Sequence, residues 1–178
     1  MLIGAAASIA EYNGVEGASH IKDKITEMTH LNETLYSCGI ACSAAGTKTP
    51  AGNYLVDILL ANICKQNVTR FPYEIARLLQ VIAGGLFVTC PSAKELENSE
   101  TRKIIEKYLA GATGVETENR IKMLRLIENL TLGRAAVGYL TESMHGAGSP
   151  QAQRIMINRL SEIEEKKKYA KHLAHISE

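Results

Sequence analysis

The stretch Val15–Ala45 reads VEGASHIKDKITEMTHLNETLYSCGIACSAA, and it decides the fold class. Ile21, Ile25, Met28, Leu35, Cys38 and Cys42 recur at spacings of three, four and seven, so they fall on one face of a single long helix. Thr47–Gly52, with Pro50, ends it. Outward from this stretch the same period continues. A second helix is expected over Asn53 to about Val68, where the apolar run Leu55–Ile63 predicts burial on most sides. Arg70-Phe71-Pro72 breaks the pattern, and Pro72 suits the first turn of a third helix that reaches Val81 or beyond and stops at Gly84-Gly85. A shorter helix fits Ser99–Leu109, with Ser99 as its cap.

A long helix from about Val115 to Met144 turns Ile121, Leu124, Ile127 and Leu130 inward. Gly146-Ala147-Gly148-Ser149-Pro150 stops it and restarts another, by a glycine past one end, a serine cap and a proline at the next first position. The last helix then covers about 150–175 and is highly charged after Ser161; Glu164–Lys168 reads as a solvated face with i,i+4 pairs. With 5% aromatic residues, no Trp and few alternating Val/Thr/Tyr runs, the chain is all-α. Long helices on short turns predict one domain over residues 1–178: an antiparallel four-helix bundle over about 15–145, with extra terminal helices.

Composition excludes several function classes. The 20 Lys+Arg balance the 19 Asp+Glu, which removes the basic footprint of a nucleic-acid partner. The apolar stretches, such as Val81–Cys90, are far shorter than the roughly 20 residues of a membrane span, so no membrane partner is expected. Met1-Leu2-Ile3-Gly4 has no basic flank and Glu11 interrupts the apolar stretch, so no signal peptide is read. Cys38, Cys42, Cys64 and Cys90 in apolar surroundings fit reduced thiols of a cytoplasmic protein.

Cys38 and Cys42, at i and i+4, project from one helical face, but two ligands do not complete a metal site, and on an apolar face a free cysteine packs as a small hydrophobe. His20, His30, His172 and His175 have no partner at metal-ligand spacing, and no metal ligand is assigned to this chain. Glu142 and His145 differ, because they lie within one turn of a helix end beside the glycine-rich break, where the following helix directs backbone N–H groups and a positive dipole end. By this pattern alone Glu142 is either a cap or salt-bridge partner or a catalytic carboxylate. Gln80 with Gly84-Gly85 is either a helix C-cap or a place where a ligand or second backbone comes close.

The string Glu142-Ser-Met-His145-Gly-Ala-Gly-Ser-Pro-Gln-Ala-Gln-Arg154-Ile-Met resembles the terminal motif of the 4-hydroxybutyryl-CoA dehydratase/vinylacetyl-CoA isomerase branch of the 4-hydroxyphenylacetate 3-hydroxylase family. Asn67-Val-Thr-Arg70-Phe-Pro-Tyr-Glu-Ile resembles a further block of that branch, as do Ile3-Gly-Ala-Ala, Glu11-Tyr-Asn-Gly14 and Ala18-Ser-His-Ile-Lys-Asp-Lys, and the matches run in order along nearly the whole chain. The resemblance implies an acyl-CoA-dehydrogenase-like fold with a helical C-terminal bundle, a homotetramer with FAD near subunit boundaries, an acyl-CoA substrate, and a [4Fe-4S] cluster on three Cys and one His.

It further implies that Glu142 is the catalytic acid/base, that Ala136, Val137, Gly138 and Tyr139 correspond to flavin contacts, and that Gln80, Gly84 and Gly85 meet a neighbouring subunit's FAD. In the family pattern the cluster ligands come from a Cys-x3-Cys and a His-x6-Cys that precede the block beginning at Leu2. Cys38 and Cys42 share the first spacing but lie in another region, so that role is not carried to them. The expectation is therefore a C-terminal part of such an enzyme, inactive by itself, either as a fragment of a longer chain or as the product of a split gene completed by a separately encoded N-terminal half. The alternatives are a non-catalytic helical assembly module or truncated remnant, and part of a flavin-dependent 4-hydroxyphenylacetate 3-hydroxylase-type enzyme.

Overall fold

The computed structural model describes residues 1–176. The fold is all-α, apart from one two-stranded hairpin. The helices are α1 (Leu2–Tyr12), α2 (Ser19–Ala44), α3 (Ile58–Val68), α4 (Phe71–Ala83), α5 (Leu86–Thr89), α6 (Ala93–Glu97), α7 (Ser99–Tyr108), α8 (Thr117–Thr131) and α9 (Arg134–Val137). A π-helical turn (Gly138–Glu142) leads into α10 (Ser143–Ala147), α11 (Pro150–Leu160) and α12 (Ile163–Leu173). The contacts divide the chain into two compact units, Met1–Glu33 with Phe71–Ser143, and Thr34–Arg70 with the residues from Met144 onward.

The first unit holds the hydrophobic core, to which α1, the first half of α2, α4 and α8 all contribute. Helix α1 packs on α4 and α8, which also pack on each other. It can do so closely because its inner face is Ala5, Ala6, Ile9 and Ala10, three of them alanines. Opposite it α4 turns in Ile75, Leu78, Leu79 and Ile82, spaced as one helical stripe, and α8 turns in Ile121, Leu124 and Ile127. Ile9, Met28, Leu79, Leu124 and Ile127 are the largest fully buried side chains. Burying each contributes about 1.5–3 kcal/mol relative to exposure.

The buried Arg120 guanidinium closes one end of this core. It donates to Asn13 Oδ1 (2.9 and 2.7 Å), Leu109 O (3.0 Å) and Ala110 O (3.4 Å), joining the ends of α1 and α7 to α8. Arg125 fastens the turn after α5 by donating to Cys90 O (2.6 Å) and Pro91 O (2.8 Å).

In the second unit, residues 34–44 of α2 lead into a hairpin of β1 (Thr47–Lys48) and β2 (Tyr54–Leu55), with Thr47 opposite Leu55 and Lys48 opposite Tyr54. Gly46 is required there, since a Cβ would lie 2.6 Å from Leu55 O and the Tyr54 ring. The Asp57 carboxylate accepts the Leu60 N–H (2.7 Å), so α3 starts at Ile58 rather than at Asn53. Helix α3 packs on α11.

Several other expectations are corrected. No residue of α3 is buried, although the run Leu55–Ile63 predicts it; within its unit α3 stays half exposed. Asn98, not Ser99, caps α7, because its Oδ1 accepts the Glu100 N–H at 2.9 Å. The last helix is in two pieces: Glu162 takes a left-handed conformation (φ 50°) between α11 and α12. The exposed ion pairs on α12, Lys167 with Glu164 and Lys168 with Glu165, are spaced i,i+3 instead of i,i+4. No helix among the described residues is long and apolar enough to cross a membrane.

Candidate functional site

The helix expected from Val115 to Met144 is interrupted, and the interruptions position the candidate carboxylate. Helix α8 ends at Thr131, and Gly133 then folds back so closely that a Cβ would lie 2.5 Å from Asn129 Oδ1. A side chain there would drive the turn apart. Four residues of α9 follow, and then the backbone widens into the π-helical turn Gly138–Glu142. Such a turn holds one extra residue per turn, re-aims the side chains after it, and is frequent at functional sites.

Two hydroxyls hold the widened turn. The Tyr139 O–H donates to Leu130 O, a carbonyl at the end of α8, and Ser143 Oγ donates to Gly138 O (2.7 Å). Burial pushes the Tyr139 phenol above its ordinary range, so it stays protonated as a donor. Ala136 is buried against the unit, whereas Val137 and Gly138 are exposed. Glu142, the last residue of the turn, is exposed, and one carboxylate oxygen lies 3.9 Å from the point where a Gly138 Cβ would sit. The five residues Ala136–Tyr139 and Glu142 thus share one segment: two anchor it, and three face outward.

Gln80, Gly84 and Gly85 sit at the end of α4, which packs against the π-helical turn in the same unit. Gly84 has φ +71° and its N–H donates to Gln80 O (3.0 Å), which is the helix C-cap read from the sequence. Gly85 is different. Its φ of −65° suits any residue, and a Cβ there would meet nothing within 4 Å. Neither strain nor crowding within this chain asks for glycine at 85. Val81 and Val88, about half exposed, flank the two glycines.

His145 is exposed on α10, with its carbonyl accepting the Gly148 N–H at 3.1 Å. Gln153, 3% exposed, closes the glycine-rich break by donating from Nε2 to Ala147 O (2.8 Å) and Gly148 O (3.2 Å). His20, His30, His172 and His175 are all exposed. Cys38 and Cys42 are half buried, as is Cys64 of α3. Sequence reading missed the π-helical turn and the Tyr139 tether. The available signal was the pair Gly133 and Gly138, five residues apart inside an otherwise helical run.

Comparison with known proteins agrees along the whole length. The family model described as 4-hydroxyphenylacetate 3-hydroxylase C terminal matches residues 1–175. The chain is 59% identical over 185 aligned residues to 4-hydroxybutyryl-CoA dehydratase/vinylacetyl-CoA-Δ-isomerase of Clostridium aminobutyricum, covering 99% of this chain and 38% of that protein. It superposes with a TM-score of 0.92 on an oxygen-tolerant archaeal 4-hydroxybutyryl-CoA dehydratase from N. maritimus, at 64% identity, over 99% of this chain and 35% of that one. The oxygenase component of 4-hydroxyphenylacetate 3-monooxygenase, complexed with FAD and 4-hydroxyphenylacetate, shares the fold at 21% identity with a TM-score of 0.83, over 97% of this chain and 36% of that one. The chain spans a little over a third of the length of these relatives. The chain, matched by the family model over 1–175 and similar throughout to the dehydratases, belongs to the 4-hydroxyphenylacetate 3-hydroxylase C-terminal family.

Proposed function

We propose that this chain is the C-terminal helical part of a cytoplasmic, FAD-dependent 4-hydroxybutyryl-CoA dehydratase/vinylacetyl-CoA isomerase, in which Glu142 accepts and returns the substrate proton. The observation that carries the reading is the 59% identity to such an enzyme over 99% of the chain. The exposed carboxylate on a tethered π-helical turn supports the role given to Glu142.

The residues fit one wall of a flavin site. Gly84 and Gly85 present open backbone, Val81, Val88 and Val137 add exposed apolar surface, and Gly138 leaves room beside Glu142. FAD, when bound, supplies a reversible electron acceptor for the substrate carbons. Ala136 and Tyr139 hold the wall in shape, and Gln80, Gly84 and Gly85 form its second edge. The residues do not fit the [4Fe-4S] cluster. Among the described residues no three His, Cys, Asp or Glu are grouped to hold a metal, so no step on this chain runs through one.

Moving the double bond of vinylacetyl-CoA to give crotonyl-CoA requires one proton off the carbon beside the thioester carbonyl and one onto the terminal carbon. A single ionised carboxylate can do both, with one Glu142 oxygen taking the first proton and delivering it at the second position. Glu142 is exposed in this chain, so water must be excluded by a cover from elsewhere: the N-terminal part of such an enzyme, on the same or a separate polypeptide, and neighbouring copies in a homotetramer. Coexpression with such an N-terminal partner should restore vinylacetyl-CoA isomerisation. In that assay Glu142→Gln should lower the rate about 10²- to 10⁴-fold, the usual contribution of a general acid/base. An unchanged rate removes Glu142 from the chemistry.

The half-exposed α3 favours a second reading, a non-catalytic helical assembly module. That module predicts purified complexes without flavin absorbance; stoichiometric FAD excludes it. An aromatic hydroxylase is the weaker alternative, because identity falls from 59% to 21% on that side of the family.

A further inference from the structure

The thiols of α2 and α3 meet within the second unit although they are far apart in sequence. Cys64 on α3 directs its Sγ toward Leu35 O of α2, 4.0 Å away, one turn before Cys38. Asn67, one turn beyond Cys64, directs its Nδ2 toward Cys38 Sγ at 3.6 Å. These two contacts join Leu35 and Cys38 of α2 to Cys64 and Asn67 of α3, so both cysteines line the α2–α3 seam. Cys42 is turned aside: its Sγ–H donates back along its own helix to Gly39 O at 3.2 Å. All three cysteines are free and half buried rather than sealed in the core. No grouping suited to a metal exists among the described residues, so oxidation is the chemistry this cluster can support.

We propose that Cys38 and Cys64 are a redox modification site: hydrogen peroxide joins them in a disulfide that staples the second half of α2 to α3. Burial, followed by the neighbouring Cys38 and Cys42, pushes the Cys64 thiol above its ordinary range, so Cys64 waits protonated. In the proposed order Cys38, whose sulfur lies beside Asn67 Nδ2, is oxidised first: its sulfur takes one peroxide oxygen as the O–O bond breaks, giving a sulfenic acid and one water. The Cys64 sulfur then attacks that sulfur, the S–S bond forms as the S–O bond breaks, and the thiol proton leaves with the hydroxide as a second water. Two thiols are oxidised and one peroxide is reduced, and a dithiol reductant reverses the change. The inference is independent of the proposed enzymatic role, since the residues it concerns belong to the unit that does not contain Glu142.

The test uses the native 178-residue chain, treated with hydrogen peroxide, quenched, alkylated after denaturation and mapped by peptide mass. The expected result is a linked Cys38–Cys64 peptide pair, with free thiols falling from four to two and returning to four on reduction. Cys42→Ser should keep the linkage, and Cys38→Ser or Cys64→Ser should each abolish it. A Cys42–Cys64 linkage overturns the proposal. So does a wild-type chain whose four thiols stay free, or whose Cys38 and Cys64 pass singly to sulfinic acids.

Discussion

Arg120 carries a full charge into the first unit and spends it on uncharged oxygens of Asn13, Leu109 and Ala110. Its removal leaves those acceptors without donors where water reaches them poorly, and the cost of orphaned buried acceptors exceeds the gain from no longer desolvating the cation. Arg120→Met should destabilise the chain by about 3 kcal/mol, read as a lower urea midpoint at unchanged slope. A shift within noise would show that the clamp is ornamental. Gly111 belongs to the same joint, since a Cβ there would collide with Tyr12 O. Cys90 lies buried in the same unit. Burial, the largest influence, pushes its thiol above the ordinary range, against a downward pull from Arg125 and Arg120. The folded chain therefore holds the proton more tightly than the unfolded one. The associated stability is complete below the unfolded thiol's pKa and is lost as pH rises through the higher folded value. Stability should fall between about pH 8.5 and the higher folded value, and Cys90→Ala should flatten that part of the decline, followed by urea melts across pH. An equal decline in both proteins would assign it elsewhere.

Between residue and fold, the segment after α8 shows how a helical sequence pattern can be right in kind and wrong in continuity. Val115–Met144 has helical periodicity throughout, yet Gly133 permits a fold-back that a Cβ would forbid, and the backbone then widens at Gly138–Glu142. Periodicity reports which face is apolar and is nearly blind to one extra residue in a turn. Gly84 needs its glycine for φ +71°, but Gly85 does not. Gly85→Ala should therefore leave the melting curve of the isolated chain unchanged or raise it slightly, by reducing the freedom of the unfolded chain. On the flavin-contact role proposed for Gly84-Gly85, the same substitution in the reconstituted complex should weaken FAD binding at least several-fold, measured by flavin fluorescence, because a Cβ would occupy the open backbone. Unaltered affinity would make Gly84-Gly85 a helix cap and nothing more.

For the whole molecule, the helix quoted at the outset, α2, contributes its first half to one compact unit and its second half to the other. We propose that residues 1–178 nevertheless behave as one domain, since an α-helix transmits order through its own hydrogen bonds. The chain should then melt in a single transition by far-ultraviolet circular dichroism and by near-ultraviolet tyrosine signal. Glu33→Pro, at an exposed position inside α2, should separate the transitions by breaking the helix at a cost of about 3 kcal/mol. Two transitions in the unmodified chain would refute the single domain. Helical class, the inward face of α8, the glycine stops and the family motif Glu142–Met156 were legible in the order of residues, because each is a pattern of near neighbours, whereas the exposure of α3 was not. Tertiary structure alone decided that α1, with its alanine face, lies against α4 and α8, that Arg120 clamps three elements, that Glu142 ends a π-helical turn tied back by Tyr139, and that Cys38 and Cys64 line one α2–α3 seam. Each of these joins residues far apart in sequence or depends on a backbone distortion that packing stabilises. No local pattern encodes a partner it does not contain.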